Sequence, residues 1–174
     1  SELRVLAHLA KDPLLLDTFN ADRDVHQETA AQVFGSDASL FEEDQRRRAK
    51  IINFSIIYGT SAFSLAKEIR TSAGEAQNFI DLYFEKYPKV KEFLENCVID
   101  AKEKGFSQTL FGRIRQVPEL RHENKIIQQA GRRIALNTPI QGTAADLIKK
   151  AMIDLWLEIK KRKLKSRMIL QVHD

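Results

Sequence analysis

The sequence predicts a mainly α fold of the α+β class, with one short β-hairpin and a strand at the C-terminal end. Three observations support this. Apolar residues recur at helical spacing along most of the chain. Helix-capping residues, prolines and glycines divide that pattern into segments of ordinary helix length. Two stretches, residues 106–117 and 168–174, instead have the short apolar runs typical of strands.

Helices in the first 105 residues are indicated by the residues at their ends. Ser72 is followed three residues later by Glu75, which is the spacing of a capping box. Pro88 suits the first turn of a helix, and Gly105 suits a helix end because glycine tolerates positive φ. The predicted helices cover residues 2–10, 13–19, 24–35, 44–58, 61–70, 72–87 and 88–105.

The segment after Gly105 changes to alternating apolar and polar residues, which predicts a β-hairpin with its turn at 111–113. Helices resume near Glu123. Pro139 should end or kink the helix that contains it, because proline lacks the backbone N–H. A long final helix ends at the basic run 160–163, which complements the negative end of a helix dipole. Its predicted core-facing residues are Ala144, Ile148, Ala151, Leu155 and Ile159.

The composition excludes several classes of protein. No run approaches the roughly 20 apolar residues of a membrane span, and no signal peptide is visible. The single cysteine, Cys97, allows no internal disulfide and suits a reducing, cytoplasmic setting; we expect it to be a small buried group. The net charge of +4 fits a polyanionic partner but does not by itself identify one.

One helical segment, residues 46–59, carries a distinctive row of side chains. Arg46, Lys50, Phe54 and Tyr58 are offset by only about 40° per step around the helix, and we call this row the 46–58 stripe. Its cations could bind a polyphosphate, and its rings could stack on a sugar and a base. Spacing alone favours a simpler alternative, a solvated basic face with aromatic rings in the core, because charged stripes on helices are common.

Four blocks in the same order carry a resemblance to a known family. They are residues 2–8, 46–59, 137–146 and 171–174. The second, Arg46-x3-Lys50-x7-Tyr58-Gly59, resembles motif B of the family A DNA polymerases. The first resembles the end of motif A, and the last resembles motif C cut short. One departure is Ser55, where many bacterial members have glycine.

The resemblance covers essentially the whole chain. It implies a fingers subdomain in residues 11–130, flanked by palm segments in 1–10 and 131–174. It also implies a DNA-directed DNA polymerase of DNA replication and repair. Such a nucleotidyltransferase adds nucleotides from dNTPs to the 3′-hydroxyl of a primer on a DNA template.

The resemblance implies roles at the nucleotide. Arg46, Lys50 and His26 would contact the triphosphate, and Lys50 would donate a proton to the departing pyrophosphate. Phe54 would pack near the sugar, and Glu2 would act as a steric gate against a ribose 2′-hydroxyl. Tyr58 would lie beside the nucleotide at the end of the helix. Without the resemblance, His26 would be interpreted as a surface or packing histidine, and Glu2 as an acid at a helix N-terminus.

A second set of residues is implied to contact primer-template DNA. They are Tyr58, Gly59, Arg133, Asn137, Gln141 and His173. Asn137 and Gln141 would face the minor groove, where the hydrogen-bond acceptors are nearly the same for every base pair. Donors there can test the geometry of a pair without reading its sequence. On the residues alone, Asn137 and Gln141 could instead cap a helix broken at Pro139.

The implied chemistry uses two Mg²⁺ ions in the complete enzyme, and Asp174 is the implied metal ligand. The family's other catalytic aspartate lies a few residues before the position of Glu2, whereas this chain begins at Ser1. We therefore expect a fragment of a longer chain that does not polymerise DNA by itself. The complete protein is expected to be a cytoplasmic monomer.

Two other functions stay open on the sequence. One is a non-catalytic helical module that binds nucleic acid or nucleotide. The other is a diverged domain with a structural role, and the joint presence of Glu2, Lys50, Phe54 and Asp174 argues against it. An aspartate in the gene a few residues before Glu2 would favour the enzyme over the binding module.

Overall fold

The computed structural model describes residues 1–34 and 43–172. The helices are α1 (Glu2–Ala10), α2 (Pro13–Asn20), α3 (Val25–Phe34), α4 (Glu43–Ile57), α5 (Ala62–Ile69), α6 (Ala73–Lys86), α7 (Pro88–Lys104), α8 (Lys125–Asn137) and α9 (Thr143–Lys161). Strands β1 (Phe106–Gln108) and β2 (Ile114–Gln116) pair antiparallel, with Ser107 opposite Arg115. The mainly α fold with one hairpin is therefore confirmed.

The capping residues begin the helices where the sequence predicts. Ser72 and Glu75 form the capping box at the start of α6. Ser61 accepts a hydrogen bond from the backbone N–H of Ser64 at the start of α5. The buried Asp12 accepts from the backbone of Leu14 and Leu15 in α2, and its second oxygen accepts from the backbone N–H of Lys89 in α7. One carboxylate thus joins the starts of two helices.

The core lies between α1 and the bundle formed by α3 to α7. On α4 the inward face carries Ala49, Ile52 and Ile56, all buried, as its apolar spacing predicts. Tyr83 and Tyr87 are fully buried in the same cluster, with their ring centroids 4.7 Å apart. Because α4 buries this face, its 46–58 stripe lies on the opposite side of the helix.

Pro139 interrupts the helix in an unexpected way. A π-helical turn, Thr138–Gly142, joins α8 to α9, and the backbone stays right-handed helical on both sides of it. Proline has no N–H to donate to the carbonyl of Ala135, four residues earlier. The hydroxyl of the buried Ser107 in β1 donates to that carbonyl instead, at 3.1 Å. The hairpin therefore stabilises the helix at the point where proline weakens it.

Three details of the sequence prediction need correction. Residues 168–172 form no strand, because within the described residues they have no sheet partner, and a strand needs one for its hydrogen bonds. In α9, Ala151 and Leu155 are exposed, since helical periodicity predicts an apolar face but not what covers it. A 3₁₀ turn at Pro118–Arg121 was not predicted.

Cys97 is partly buried on α7, and burial raises the pKa of its thiol to about 12, as expected for an unreactive packing residue. In the part of the chain that the structure describes, no helix is long and apolar enough to cross a membrane.

Candidate nucleotide and nucleic-acid site

The N-terminal end of the 46–58 stripe is a cluster of cations beside the start of α3. Arg46 donates from Nε and Nη2 to the same carboxylate oxygen of Asp24, at 2.9 and 2.7 Å. Burial by itself would raise the pKa of Asp24, but hydrogen bonds from Arg46 and from the backbone of Gln27 and His26 lower it. Lys50 is exposed, and no described carboxylate lies within 4.0 Å of its ammonium group.

His26 lies against this cluster, and its imidazole ring contacts the side-chain amide of Asn53. The amide nitrogen of the fully buried Asn53 lies 3.2 Å from Nδ1 of His26 and 3.0 Å from the hydroxyl oxygen of Thr29. Burial lowers the pKa of His26, and the charges of Arg46 and Lys50 lower it further, against the opposing effect of Asp24. The imidazole is therefore neutral near pH 7. If Asn53 donates to Nδ1, the ring proton is on Nε2.

The C-terminal end of the stripe is aromatic and reaches α1. The ring of Phe54 lies between His26 and Tyr58, with centroid distances of 6.1 and 6.2 Å. The hydroxyl of Tyr58 donates to Oε2 of Glu2 at 2.6 Å, although the two residues are 56 positions apart. Burial, followed by the hydrogen bond to Glu2, raises the pKa of Tyr58 to about 12. Glu2 is therefore held by a neutral phenol at the end of α4.

Beyond Tyr58 a groove of about 690 Å³ runs between the start of α5 and α8. Tyr58 and Gly59 line one side of it, and Arg133 and Asn137 line the other. Gly59 has a positive φ of 63°, and a Cβ there would lie 2.7 Å from Cδ1 of the buried Leu136. Glycine thus allows the chain to turn close to α8 at the end of the stripe.

A second groove, of about 460 Å³, lies between the β-hairpin and the π-helical turn. Asn137 lines it from the end of α8, Gln141 lines it from the turn, and Arg113 and Arg115 line it from the hairpin. Arg113 donates to the carbonyl of Gly142 and pairs with Asp146, both at 3.0 Å. The side chain of Asn137 makes no capping hydrogen bond, so the alternative in which Asn137 only caps a broken helix is not supported.

The structure therefore brings most of the sequence-derived candidates together along one continuous surface. It runs from Arg46 and His26 through Phe54 and Tyr58 to the groove that holds Arg133. His173 and Asp174 lie outside the described residues. Within residues 1–34 and 43–172, no group of three His, Cys, Asp or Glu side chains is placed to hold a metal ion.

Comparison with known proteins identifies the family of this chain. The sequence model of the family described as DNA polymerase family A matches residues 1–174. The chain belongs to DNA polymerase family A. DNA polymerase I of Pseudomonas aeruginosa is 51% identical over 99% of this chain and 19% of its own length. DNA polymerase I of Caldicellulosiruptor bescii is 47% identical over 99% of this chain and 20% of its own length.

A solved structure of this fold is the POL domain of Pol1 from M. smegmatis in complex with DNA primer-template and dNTP. It is 39% identical, with a TM-score of 0.95, and the match covers 99% of this chain and 30% of that one. This family A chain thus spans about a fifth of the length of the curated relatives it matches.

Sequence reasoning missed several residues of this family A surface. The sequence placed Asp24 only at the start of a predicted helix, because an ion pair with a residue 22 positions away leaves no local signal. Asn53 gave a weak signal, an amide among the apolar residues of α4. Arg113 lies in the hairpin turn and Arg115 lies on the strand that follows it. The sequence signal for both was the presence of basic residues at a predicted hairpin turn.

Proposed function

We propose that the complete gene product is a DNA-directed DNA polymerase that transfers a nucleotidyl group from a dNTP to the 3′-hydroxyl of a DNA primer. The observation that carries this proposal is the continuous surface that joins the cations of the 46–58 stripe to the Tyr58–Glu2 pair and to the groove with Arg133. Membership of DNA polymerase family A supports the same conclusion.

For the triphosphate, we assign Arg46, Lys50 and the neutral imidazole of His26. The two cations are one helical turn apart, which suits phosphates of one polyphosphate chain. His26 would donate one hydrogen bond from Nε2. Lys50 would give its proton to the leaving oxygen of pyrophosphate, where negative charge develops as the bond to the α-phosphate breaks.

For the sugar, we assign Phe54 together with Glu2. Phe54 offers a flat apolar surface, and a Phe here implies discrimination against dideoxynucleotides. Glu2 would occupy the space needed by a ribose 2′-hydroxyl, so a ribonucleotide would meet both a steric block and an unpaired polar group. The hydrogen bond from Tyr58 would hold the Glu2 carboxylate in that position.

For the DNA, we assign the two grooves beside α8. Tyr58 and Gly59 would border the templating base, and Arg133 would contact the backbone of the primer-template. Asn137 and Gln141 would approach the minor groove. Their amides can donate to acceptors common to all base pairs, so they would test pair shape rather than sequence.

For the metal, we assign Asp174, with His173 near the primer end. Mg²⁺ favours carboxylate oxygens, and two such ions would lower the pKa of the primer hydroxyl and neutralise the triphosphate. The proposal extends to a monomeric, cytoplasmic protein in which residues 11–130 are the fingers and residues 1–10 and 131–174 belong to the palm.

Primer extension by the complete gene product tests this function. With Mg²⁺ and dNTPs, we expect extension that requires the dNTP complementary to the template base. Arg46→Ala should raise the KM for dNTP by about tenfold or more, because it removes a charge-assisted contact. Arg47→Ala is the matched control, since Arg47 is the next residue of α4, pairs with Asp44 and lies off the stripe. Binding of DNA or dNTP without any extension would favour the non-catalytic module.

A second prediction concerns the Tyr58–Glu2 hydrogen bond. Tyr58→Phe keeps the ring and removes the hydroxyl that donates to Glu2. Because a freed Glu2 can move away from the sugar, we expect discrimination between dATP and ATP to fall by about tenfold, in line with about 1.4 kcal/mol. The measurement is the ratio of kcat/KM for the two nucleotides. Tyr83→Phe is the control, because Tyr83 is fully buried in the core and its hydroxyl has no hydrogen-bond partner among the described residues; an equal loss of discrimination in both variants would refute the role.

A further inference from the structure

Arg46 already has an anionic partner in the structure. Its Nε and Nη2 groups both donate to one oxygen of Asp24, at 2.9 and 2.7 Å. The two residues of this ion pair are 22 positions apart in sequence; Asp24 lies at the start of α3 and Arg46 lies near the start of α4. Both side chains remain partly accessible, with 47% of Arg46 and 35% of Asp24 exposed. A ligand can therefore reach the pair without unfolding either helix.

The two oxygens of Asp24 have separate partners. Oδ1 accepts from the backbone N–H groups of His26 and Gln27, which caps α3. Oδ2 accepts from Arg46. The hydrogen bonds to Oδ1 are sufficient to cap α3, so the contact between Oδ2 and Arg46 is an additional interaction. The charges of Asp24, Arg46 and Lys50 all act on the pKa of His26, so Asp24 lies in the same cluster as the three groups assigned to the triphosphate.

We propose that Asp24 is an internal competitor of the triphosphate for Arg46, and so sets the affinity of the protein for its nucleotide. This inference rests on the proposed function, in which Arg46 binds phosphate. A phosphate group that binds the Nε–Nη2 edge of the guanidinium must displace the Asp24 carboxylate, which occupies that edge. The apparent dissociation constant then equals the intrinsic constant divided by the fraction of molecules in which Arg46 is free.

The competition would select for long phosphate chains. Lys50 has no carboxylate partner within the described residues, and it lies one turn beyond Arg46. A triphosphate can gain contacts with both cations and thereby offset the lost ion pair. A single phosphate can only replace one anion by another at Arg46. Asp24 would also return to Arg46 after the reaction and so favour release of pyrophosphate.

Asp24→Asn tests the proposal in the complete gene product. Asparagine keeps an oxygen for the cap of α3 and removes the negative charge that holds Arg46. Because partly exposed ion pairs contribute little, we expect the dissociation constant for dATP to fall by about three- to sixfold. Inhibition by inorganic pyrophosphate should strengthen by a similar factor. Isothermal titration with dATP and product inhibition in primer extension measure the two effects.

Asp44→Asn is the matched control. Asp44 lies in the first turn of α4 and pairs with Arg47 and Arg48, at 2.6 and 2.7 Å, rather than with the stripe. Asp44→Asn therefore removes the same charge from the same region without freeing Arg46. We expect its dissociation constant for dATP to stay within about 1.5-fold of the unmodified protein, as for a surface charge away from the ligand.

A double-mutant cycle separates competition from general repulsion. In an Arg46→Ala background, Asp24→Asn should no longer tighten dATP binding, because the competitor acts through Arg46. Persistence of the full effect in that background would overturn the proposal, as would equal affinities in the Asp24 and Asp44 variants. Weaker binding by Asp24→Asn would overturn it too, since Asp24 would then position Arg46. A protein that binds no dATP before any substitution would refute the proposed function itself.

Discussion

Replacing Lys50 by alanine in the complete gene product is expected to slow the chemical step of nucleotide incorporation by about 10²- to 10⁴-fold, the usual size of a general-acid contribution. Lys50 is exposed on the stripe, one turn from Arg46, and no described carboxylate competes for its ammonium group. In the proposed function, its proton would then be available for the departing pyrophosphate. The affinity for dNTP should change much less, because Arg46 and His26 would still hold the triphosphate.

Single-turnover kinetics at saturating dNTP separate the two effects. Lys50→Arg is informative because the guanidinium keeps the charge but is a much weaker acid, so dNTP binding should recover while the rate does not. Lys102→Ala is the control, an exposed lysine on α7 for which the described residues contain no ion pair. An unchanged single-turnover rate in Lys50→Ala would refute the assigned role, and recovery of the rate by arginine would indicate that charge alone matters.

Local sequence signals predicted the helices and the hairpin well. Ser61 and Ser72 cap the helices that follow them, and Gly105 ends α7 with a φ of 81°. These features are encoded within a few residues, because a cap needs only its own helix. The π-helical turn at Thr138–Gly142 was harder to predict. The carbonyl before it that Pro139 cannot bond accepts instead from the hydroxyl of Ser107, 28 residues away in sequence.

The candidate site shows the same division between local and long-range information. The 46–58 stripe follows from helical spacing, and the inward face of α4 confirms its orientation. The contacts that join the stripe to other helices are between distant residues: Arg46 with Asp24, and Tyr58 with Glu2. A single sequence does not report such pairs, because they depend on how α1, α3 and α4 pack. The resemblance supplied the position of Glu2 but not its hydrogen bond to Tyr58.

Asn137 at the end of α8 lines both grooves, and the hairpin lines the groove beside the π-helical turn, so the packing of α8 and the hairpin should matter for DNA binding. Ser107 donates to a carbonyl of α8, and Arg113 reaches Gly142 in the π-helical turn. α8 also lies against the 3₁₀ turn at Pro118–Arg121. Gly131 lies at that contact. The positions of Arg133 and Asn137 thus depend on a glycine that touches neither groove.

Gly131→Ala is expected to destabilise the protein by about 1–3 kcal/mol, the usual cost of forcing extra atoms into a packed interior. A Cβ at this position would lie 2.8 Å from the backbone nitrogen of Leu120 and 2.9 Å from Cβ of Glu119. Those atoms belong to the 3₁₀ turn and cannot rotate away, so α8 must shift. Because α8 carries Arg133 and Asn137, affinity for primer-template DNA should fall together with the thermal unfolding midpoint.

Gly74→Ala makes the same substitution in another helix and should have the opposite effect. Gly74 lies in the first turn of α6, and its nearest neighbour would be Oγ of Ser72 at 4.0 Å. Alanine has a higher helix propensity than glycine, so stability should be unchanged or raised by up to about 1 kcal/mol. The same propensity gain applies to Gly131→Ala, so any net loss there comes from the contact with the 3₁₀ turn. Equal unfolding midpoints for the two variants would mean that α8 and this turn separate at little cost, and that the groove residues are positioned by the hairpin alone.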